Sequence, residues 1–381
     1  MENPFKFGGI VRGPHFADRR KEMDELAGEM KNIGRIFLVS PRRYGKTCLL
    51  FNLMDRLTEL GFATVYIDLN AYPDIKSVAG AITNLTCRAL ESNADKLMKI
   101  FAGLQRLRPK ASVGRDGTIE VGLEVSVEEK EALPALLEGM SHANKLASKK
   151  RKKTVIIIDE FSDITKYNGQ TLEKALRSEI QKHEYIGYIF SGSEQSVMLS
   201  MIRDRKRAFY KLGRVMELSL IERKTYTDFI ANWLKKGGYR VQPNDLQKVF
   251  EIGMDVPHNI QRLCNIMWEL ARKNRKVTHG LIAKLPEVIA GQDSPHYEML
   301  WHTVSQLQKV LLISLSQEPA AKPFSREFQM KYGVGPSSSV KASLDSLMKK
   351  GILFKSIAGT YQFSDSFMPY WINLIRHGIY R

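Results

Sequence analysis

Five apolar runs rich in β-branched residues punctuate the first half of the chain: RIFLVS from Arg35, FATVYIDL from Phe62, TVIIIDE from Thr154, YIGYIFSGS from Tyr185 and VMELSL from Val215. Each is nearly continuous in hydrophobicity, the pattern of parallel strands buried on both faces. Helical patterns such as GKTCLLFNLMDRLTEL and DIKSVAGAITNLTCRALES lie between them. This alternation predicts a doubly wound parallel α/β domain over residues 1–225. The stretch ASVGRDGTIEVGLEVSVEE breaks it, and two strand-like runs around GRDG predict a β-hairpin inserted at about 109–128. From about Tyr226 to Ile289 the pattern is helical, with polar breaks at KKGGYRVQPND and GMDVPHN, which predicts a smaller helical domain over 226–300. After Trp301 the rhythm changes again. SQLQKVLLISLSQ, FSREFQMKYG and PSSSVKASLDSLMKKG read as helices, the last with serines as its cap and glycine at its end. ILFKSIAGTYQFSD then reads as two strands around a small turn, so 301–381 has the layout of a winged helix-turn-helix.

Composition adds two constraints. No run of about 18 apolar residues occurs, so no membrane span is expected, and the N-terminus lacks the pattern of a signal peptide. Cys48, Cys87 and Cys264 are scattered, which fits a reducing cytoplasm rather than a disulfide framework. The formal net charge of +17 favours polyanions such as DNA, RNA, anionic lipid or nucleotide, although a lysine-biased solvated surface gives the same number. The basic run KLASKKRKK (Lys145–Lys153) has the same two readings.

The chemistry concentrates in FLVSPRRYGKTCLL, Phe37–Leu50. It meets the phosphate-loop pattern G-x-x-x-x-G-K-[ST] at every position but the first, where Ser40 replaces glycine. Gly45 is the position the physics needs most, because backbone amides must wrap a phosphate closely. Lys46 offers charge to terminal phosphates and Thr47 a hydroxyl to Mg²⁺. The candidate nucleotide-binding segment is therefore Ser40, Pro41, Arg42, Arg43, Tyr44, Gly45, Lys46, Thr47 and Cys48. VIIIDE puts Asp159 and Glu160 at the carboxyl end of a buried strand, expected beside the loop-bearing strand. Asp159 suits Mg²⁺, commonly through waters, and Glu160 is placed to orient or deprotonate an attacking water. The eight histidines show no ligand spacing, and His183 and His258 read as structural.

FADRRKE (Phe16–Glu22), SPRRYGKT, IIIDEFSDI, LRSEIQKHEYIGYIFSGSEQSVM, AFYKLGR and GMDVPHNIQRLC follow in that order, ahead of the winged-helix pattern. Together they resemble the archaeal-type P-loop ATPase family of the AAA+/STAND group, related to origin-recognition initiators. The resemblance covers nearly the whole chain. It implies a five-stranded ASCE core, a helical lid, a winged helix, and ATP or ADP with Mg²⁺. By position it implies Arg19 near the adenine and Ser193 as a phosphate sensor, with Ser191 the alternative; both serines also read as ordinary turn residues. It sets Pro257 against the nucleotide, though Val256 and His258 depart from the family's wording there. Arg262 is either a second sensor or a surface arginine. Arg214, in the G-R dipeptide, matches an arginine finger acting in trans, which requires an oligomer; Arg203, Arg205 and Arg207 lie nearby, and Arg42 and Arg43 offer charge in cis.

The helix SSSVKASLDSLMKK is the recognition helix of the winged domain. In a DNA-reading version, Lys341, Lys349 and Lys350 of this helix and Lys355 of the wing are the phosphate-contact candidates, with Ser338 and Ser339 toward the groove. It carries no arginine, and cations at its carboxyl end are favoured by the dipole alone. Three functions follow. The first is an ATP-hydrolysing switch whose nucleotide state repositions lid and winged helix, slow unless a protein partner or second subunit completes the site. The second is an initiator- or transposition-regulator-like ATPase on duplex DNA. The third is a module that holds ADP with little turnover. Adenine rather than guanine comes from the family, since no N-K-x-D segment stands out.

Overall fold

The computed structural model describes residues 1–113, 119–124, 128–167, 169–319, 321–356 and 359–376. The chain divides into two compact units, Gly8–Ile221 and Met1–Phe7 with Glu222–Arg381. Strands of the first unit are β1 (Arg35–Val39), β2 (Ala63–Asp68), β3 (Arg108–Val113), β4 (Ile119–Glu124), β5 (Thr154–Asp159), β6 (Ile186–Gly192) and β7 (Arg214–Glu217). A five-stranded sheet runs β2–β5–β6–β1–β7, and every pair in it is parallel.

This order corrects one expectation. The strand that ends in Asp159 is not beside the loop-bearing strand: β6 lies between β5 and β1 and pairs with both. Apolar continuity reports burial on two faces, not which neighbour does the burying. The edges also depart from continuous burial. Every residue of β5 and β6 is buried, whereas β2 alternates and β7 buries only Met216. Because β1 connects to β2 across β6 and β5, its carboxyl end opens into a crevice of the kind where α/β sheets bind ligands.

Successive residues along each strand feed opposite faces. Phe37, Ile156 and Phe190 pack with the helices Ile75–Leu90 and Ala132–Lys149. Ile36, Leu38, Ile157 and Ile189 meet Leu49, Leu50, Leu53 and Leu57 of the helix Lys46–Glu59. Gly139 lets the first pair of helices close up, since a Cβ there would stand 1.8 Å from Thr83 Oγ1. The expected hairpin is present: β3 and β4 pair antiparallel from Arg108↔Glu124 to Val113↔Ile119. Its expected turn, residues 114–117, lies outside the described residues.

The second unit is helical from Arg223–Lys236 through Pro243–Gly253, Pro257–Leu270, His279–Gln292 and Ser294–His302. The helices Gln306–Gln317, Arg326–Tyr332 and Ser337–Lys349 follow, then the antiparallel wing β8 (Leu353–Lys355) and β9 (Tyr361–Phe363). Part of the expected small turn, residues 357 and 358, lies outside the described residues. A further helix, Met368–Arg376, comes after the wing and buries Trp371 and Ile372 with Leu311, Leu344 and Leu347. The serine cap is also corrected. The residue before the helix Ser337–Lys349 is Pro336, no side chain caps it, and Ser337 Oγ instead accepts from Gln329 Nε2 at 2.9 Å. Glycine at the far end holds: Gly351 has φ 69° and its amide donates to Met348 O. Residues 1–7 are laced to the helix Pro257–Leu270, with Phe5 edge-on to Trp268 and Asn265 Nδ2 donating to Phe5 O at 2.7 Å. Among the described residues no helix is long and apolar enough to cross a membrane.

Candidate active site

The loop after β1 makes its turn with two left-handed residues, Arg43 (φ 70°) and Gly45 (φ 85°), before the helix Lys46–Glu59 begins. A Cβ added at Gly45 would meet nothing within 4 Å, so this glycine borders open space and is there for its backbone angle. Ser40 is different. It is fully buried, does not have positive φ, and its hydroxyl donates to Pro41 O at 3.2 Å. No glycine is required there, so the departure from the motif leaves the loop's path intact. Arg42 and Arg43 are exposed and Tyr44 is half-buried.

The crevice brings together the side chains that the motifs singled out. Lys46 Nζ lies 2.9 Å from Asp159 Oδ1 and 3.3 Å from Glu160 Oε1, and Thr47 Oγ1 donates to Asp159 Oδ2 at 3.3 Å. Burial works to raise the Asp159 carboxyl, but the Lys46 charge with its hydrogen bond and the Tyr66 hydroxyl prevail, and its pKa lies below the usual value. Tyr66 donates to Asp159 Oδ2 at 2.8 Å, a contact between β2 and β5 that no motif announces. Burial first, then the charge of Asp159, pushes the Tyr66 hydroxyl up, so it stays a donor. Glu160 follows the strand in a left-handed conformation (φ 47°, ψ 43°), a strained setting for a non-glycine residue. Its Oε2 accepts from Ser193 Oγ at 2.8 Å and from Ser193 N at 3.2 Å. Ser193 therefore meets the carboxylate, whereas Ser191 is buried within β6.

The remaining expected residues have other surroundings. Arg19 is 2% exposed, and it clamps backbone by donating to Ser219 O at 2.7 Å and Tyr44 O at 3.1 Å while pairing with Glu22 at 2.7 Å. Cys48 Sγ accepts from Val11 N at 3.3 Å, which ties the N-terminal segment to the loop helix. Arg214 is ion-paired to Glu25 (2.5 Å) and Glu29 (3.1 Å). Arg203 pairs with Glu217 and Arg207 with Glu173. Pro257 belongs to the second unit, where it opens a helix and its carbonyl accepts from Tyr226 OH at 3.2 Å. Arg262, in the same helix, is held by both oxygens of Asp293 at 2.6 and 2.8 Å.

The sequence family described as an ATPase domain predominantly from Archaea matches residues 16–263. The chain belongs to this archaeal ATPase family. A second family, "Probable winged helix domain", matches residues 295–374. No curated protein matches. Among solved structures, the Walker-type ATPase paby2304 of Pyrococcus abyssi is 16% identical with a TM-score of 0.61, covering 97% of this chain and 99% of its own. The Aeropyrum pernix ORC2 protein, in ADPNP–ADP complexes, is 12% identical with a TM-score of 0.56, covering 99% of this chain and 98% of its own. The ORC1 protein of the same organism, in complex with DNA, is 14% identical with a TM-score of 0.51, covering 97% of this chain and 94% of its own. At these identities the likeness is one of fold.

The site suits the family's substrate. The loop helix starts with no side-chain cap, so no side chain competes for its first amides, and Lys46 stands at its first position. Thr47 and Asp159 supply one hydroxyl and one carboxylate, hard oxygen donors of the kind Mg²⁺ takes together with several waters.

Proposed function

We propose that this member of the ATPase family binds ATP with Mg²⁺ at the loop after β1, hydrolyses it, and uses nucleotide state to reposition its second unit. The convergence of Lys46, Asp159, Glu160 and Ser193 at the carboxyl ends of the sheet carries this reading. Mg²⁺, when bound, neutralises charge on the phosphates. The loop amides and Lys46 bind phosphate oxygens, and Thr47 and Asp159 hold the metal. Glu160 takes the proton of the attacking water at Oε1, which Lys46 now engages, while Ser193 keeps Oε2 fixed. Turning Lys46 from the carboxylates to a phosphate thus frees the base as it binds the substrate. Hydrolysis is slow until a partner or second copy adds charge, because Arg214 is engaged within its own chain. Arg19 supports the site by fixing the loop backbone.

A second reading, an ATPase acting on duplex DNA, is favoured by the winged domain. Lys341 and Lys349 are exposed on its third helix beside exposed Ser338, in a chain of net charge +17. Two other candidates are engaged: Lys350 donates to Thr303 O, and Lys355 lies over the Tyr361 ring at 5.7 Å. The deciding experiment is ATP turnover by wild type and Glu160→Gln, with and without duplex DNA. We expect Glu160→Gln to bind ATP but turn it over at least about a hundredfold more slowly. Stimulation by DNA would select the second reading. Absence of turnover in the wild type would leave only a nucleotide-holding module.

A further inference from the structure

We infer that Tyr66, at the middle of the edge strand β2, is a positioning residue that fixes Asp159 for the divalent cation of the ATP site. This rests on the reading that Asp159 is a metal-holding group. Asp159 is buried at the crevice floor and makes contacts through both oxygens. Oδ1 faces Lys46 Nζ at 2.9 Å and accepts from Glu160 N at 3.0 Å. Oδ2 accepts from Thr47 Oγ1 at 3.3 Å and from Tyr66 OH at 2.8 Å. Two of these partners have other duties when nucleotide arrives: Lys46 turns to phosphate and Thr47 to the metal. Tyr66 has no such second task.

The tyrosine is itself held in place. It stands in register with Ile157 of β5, two residues before Asp159, so backbone pairing sets its height along the strand. Its ring is tilted against Phe51 with centroids 4.6 Å apart, and the Arg12 guanidinium covers the other ring at 4.7 Å. Arg12 in turn pairs with Asp55 at 3.0 Å. An aromatic ring locked on both the strand and the loop helix delivers its hydroxyl to one point. That is what an outer partner of a metal-holding carboxylate needs, since it fixes Oδ2, the oxygen that Thr47 Oγ1 also contacts. A phenol is also a neutral donor, so it orients the carboxylate without cancelling the charge that attracts the cation.

The test compares full-length wild type, Tyr66→Phe and Asp159→Asn by titrating a fluorescent ATP analogue over a range of Mg²⁺ concentrations. Tyr66→Phe keeps the ring and its contact with Phe51, and thermal melting checks that the fold is retained. We expect its affinity without Mg²⁺ to match the wild type. The Mg²⁺ concentration that half-tightens binding should rise about ten- to a hundredfold, and Asp159→Asn should lose the tightening altogether. If Asp159→Asn loses it while Tyr66→Phe keeps the wild-type midpoint, Tyr66 does not position the carboxylate and the inference falls alone. If Asp159→Asn also keeps the wild-type midpoint, Asp159 does not hold the metal and both readings fall.

Discussion

Ser40 and Gly45 occupy the two positions where a phosphate loop ordinarily carries glycine, and the backbone treats them differently. Gly45 needs φ 85°, whereas Ser40 continues from the strand and turns its hydroxyl to the neighbouring carbonyl. A pattern match counts both positions equally; the dihedrals do not. Elsewhere a single buried histidine makes its own prediction. His183 lies 2.7 Å from Tyr188 OH through Nδ1 and 3.2 Å from Glu179 Oε1 through Nε2. Burial lowers its pKa, Glu179 opposes this, and Arg35 and Lys182 add to it. A base whose folded pKa is lowered holds fewer protons folded than unfolded, so its stability contribution is full above the unfolded pKa and declines as pH falls through it. Between pH 7 and pH 5, stability should fall by up to about 1.4 kcal/mol per pH unit from this group. Chemical denaturation of His183→Asn should show a flatter pH dependence; an unchanged slope would place the titration elsewhere. Much of the site was readable in the sequence, because Lys46, Thr47, Asp159 and Glu160 sit in contiguous motifs. Tyr66 was not, since its link to Asp159 crosses 93 positions and depends on strand pairing.

At the level of elements, hydrophobic runs identified all five strands of the sheet, the hairpin and the wing, because strands buried on one or two faces leave a mark in composition. They carried no information about order, and β6 between β1 and β5 had to be seen. The helix Met368–Arg376 escaped for a related reason: MPYWINLIR is short and follows a wing that already completes the expected layout. The cap on Ser337–Lys349 escaped because three successive serines offer capping chemistry, and the chain starts the helix at the first of them, right after Pro336. Helix contact is governed by one small residue at Gly139. Gly139→Ala should destabilise the fold by about 1–3 kcal/mol, because its methyl would overlap the Thr83 hydroxyl. Adding Thr83→Ala removes that hydroxyl and should recover most of the loss, which thermal melts of the single and double variants would measure. If the double variant is no better than Gly139→Ala alone, the close approach of these helices is not what the glycine protects.

The whole molecule is two units that share one chain at two crossings, after Phe7 and after Ile221. The first crossing leads from a segment laced to the helix Pro257–Leu270 into one laced to the loop helix, where Asn52 Nδ2 donates to Val11 O at 2.8 Å and Gly13 N donates to Asn52 Oδ1 at 2.9 Å. Under the proposed switch reading, this crossing is the chain segment through which nucleotide binding would be felt in the second unit. Motif reading supplies the chemistry of the first unit but not the response of the second, since repositioning is a difference between states. The measurement that bears most directly on it is the spin-label distance between Arg151→Cys in the first unit and Lys341→Cys in the winged domain. Both positions are exposed, and the labels go on a background lacking Cys48, Cys87 and Cys264 and carrying Glu160→Gln to hold ATP. If nucleotide state repositions the second unit, the distance distributions differ between the ATP-bound, ADP-bound and nucleotide-free protein. Superimposable distributions in all three states, with nucleotide binding demonstrated on the same samples, would contradict it.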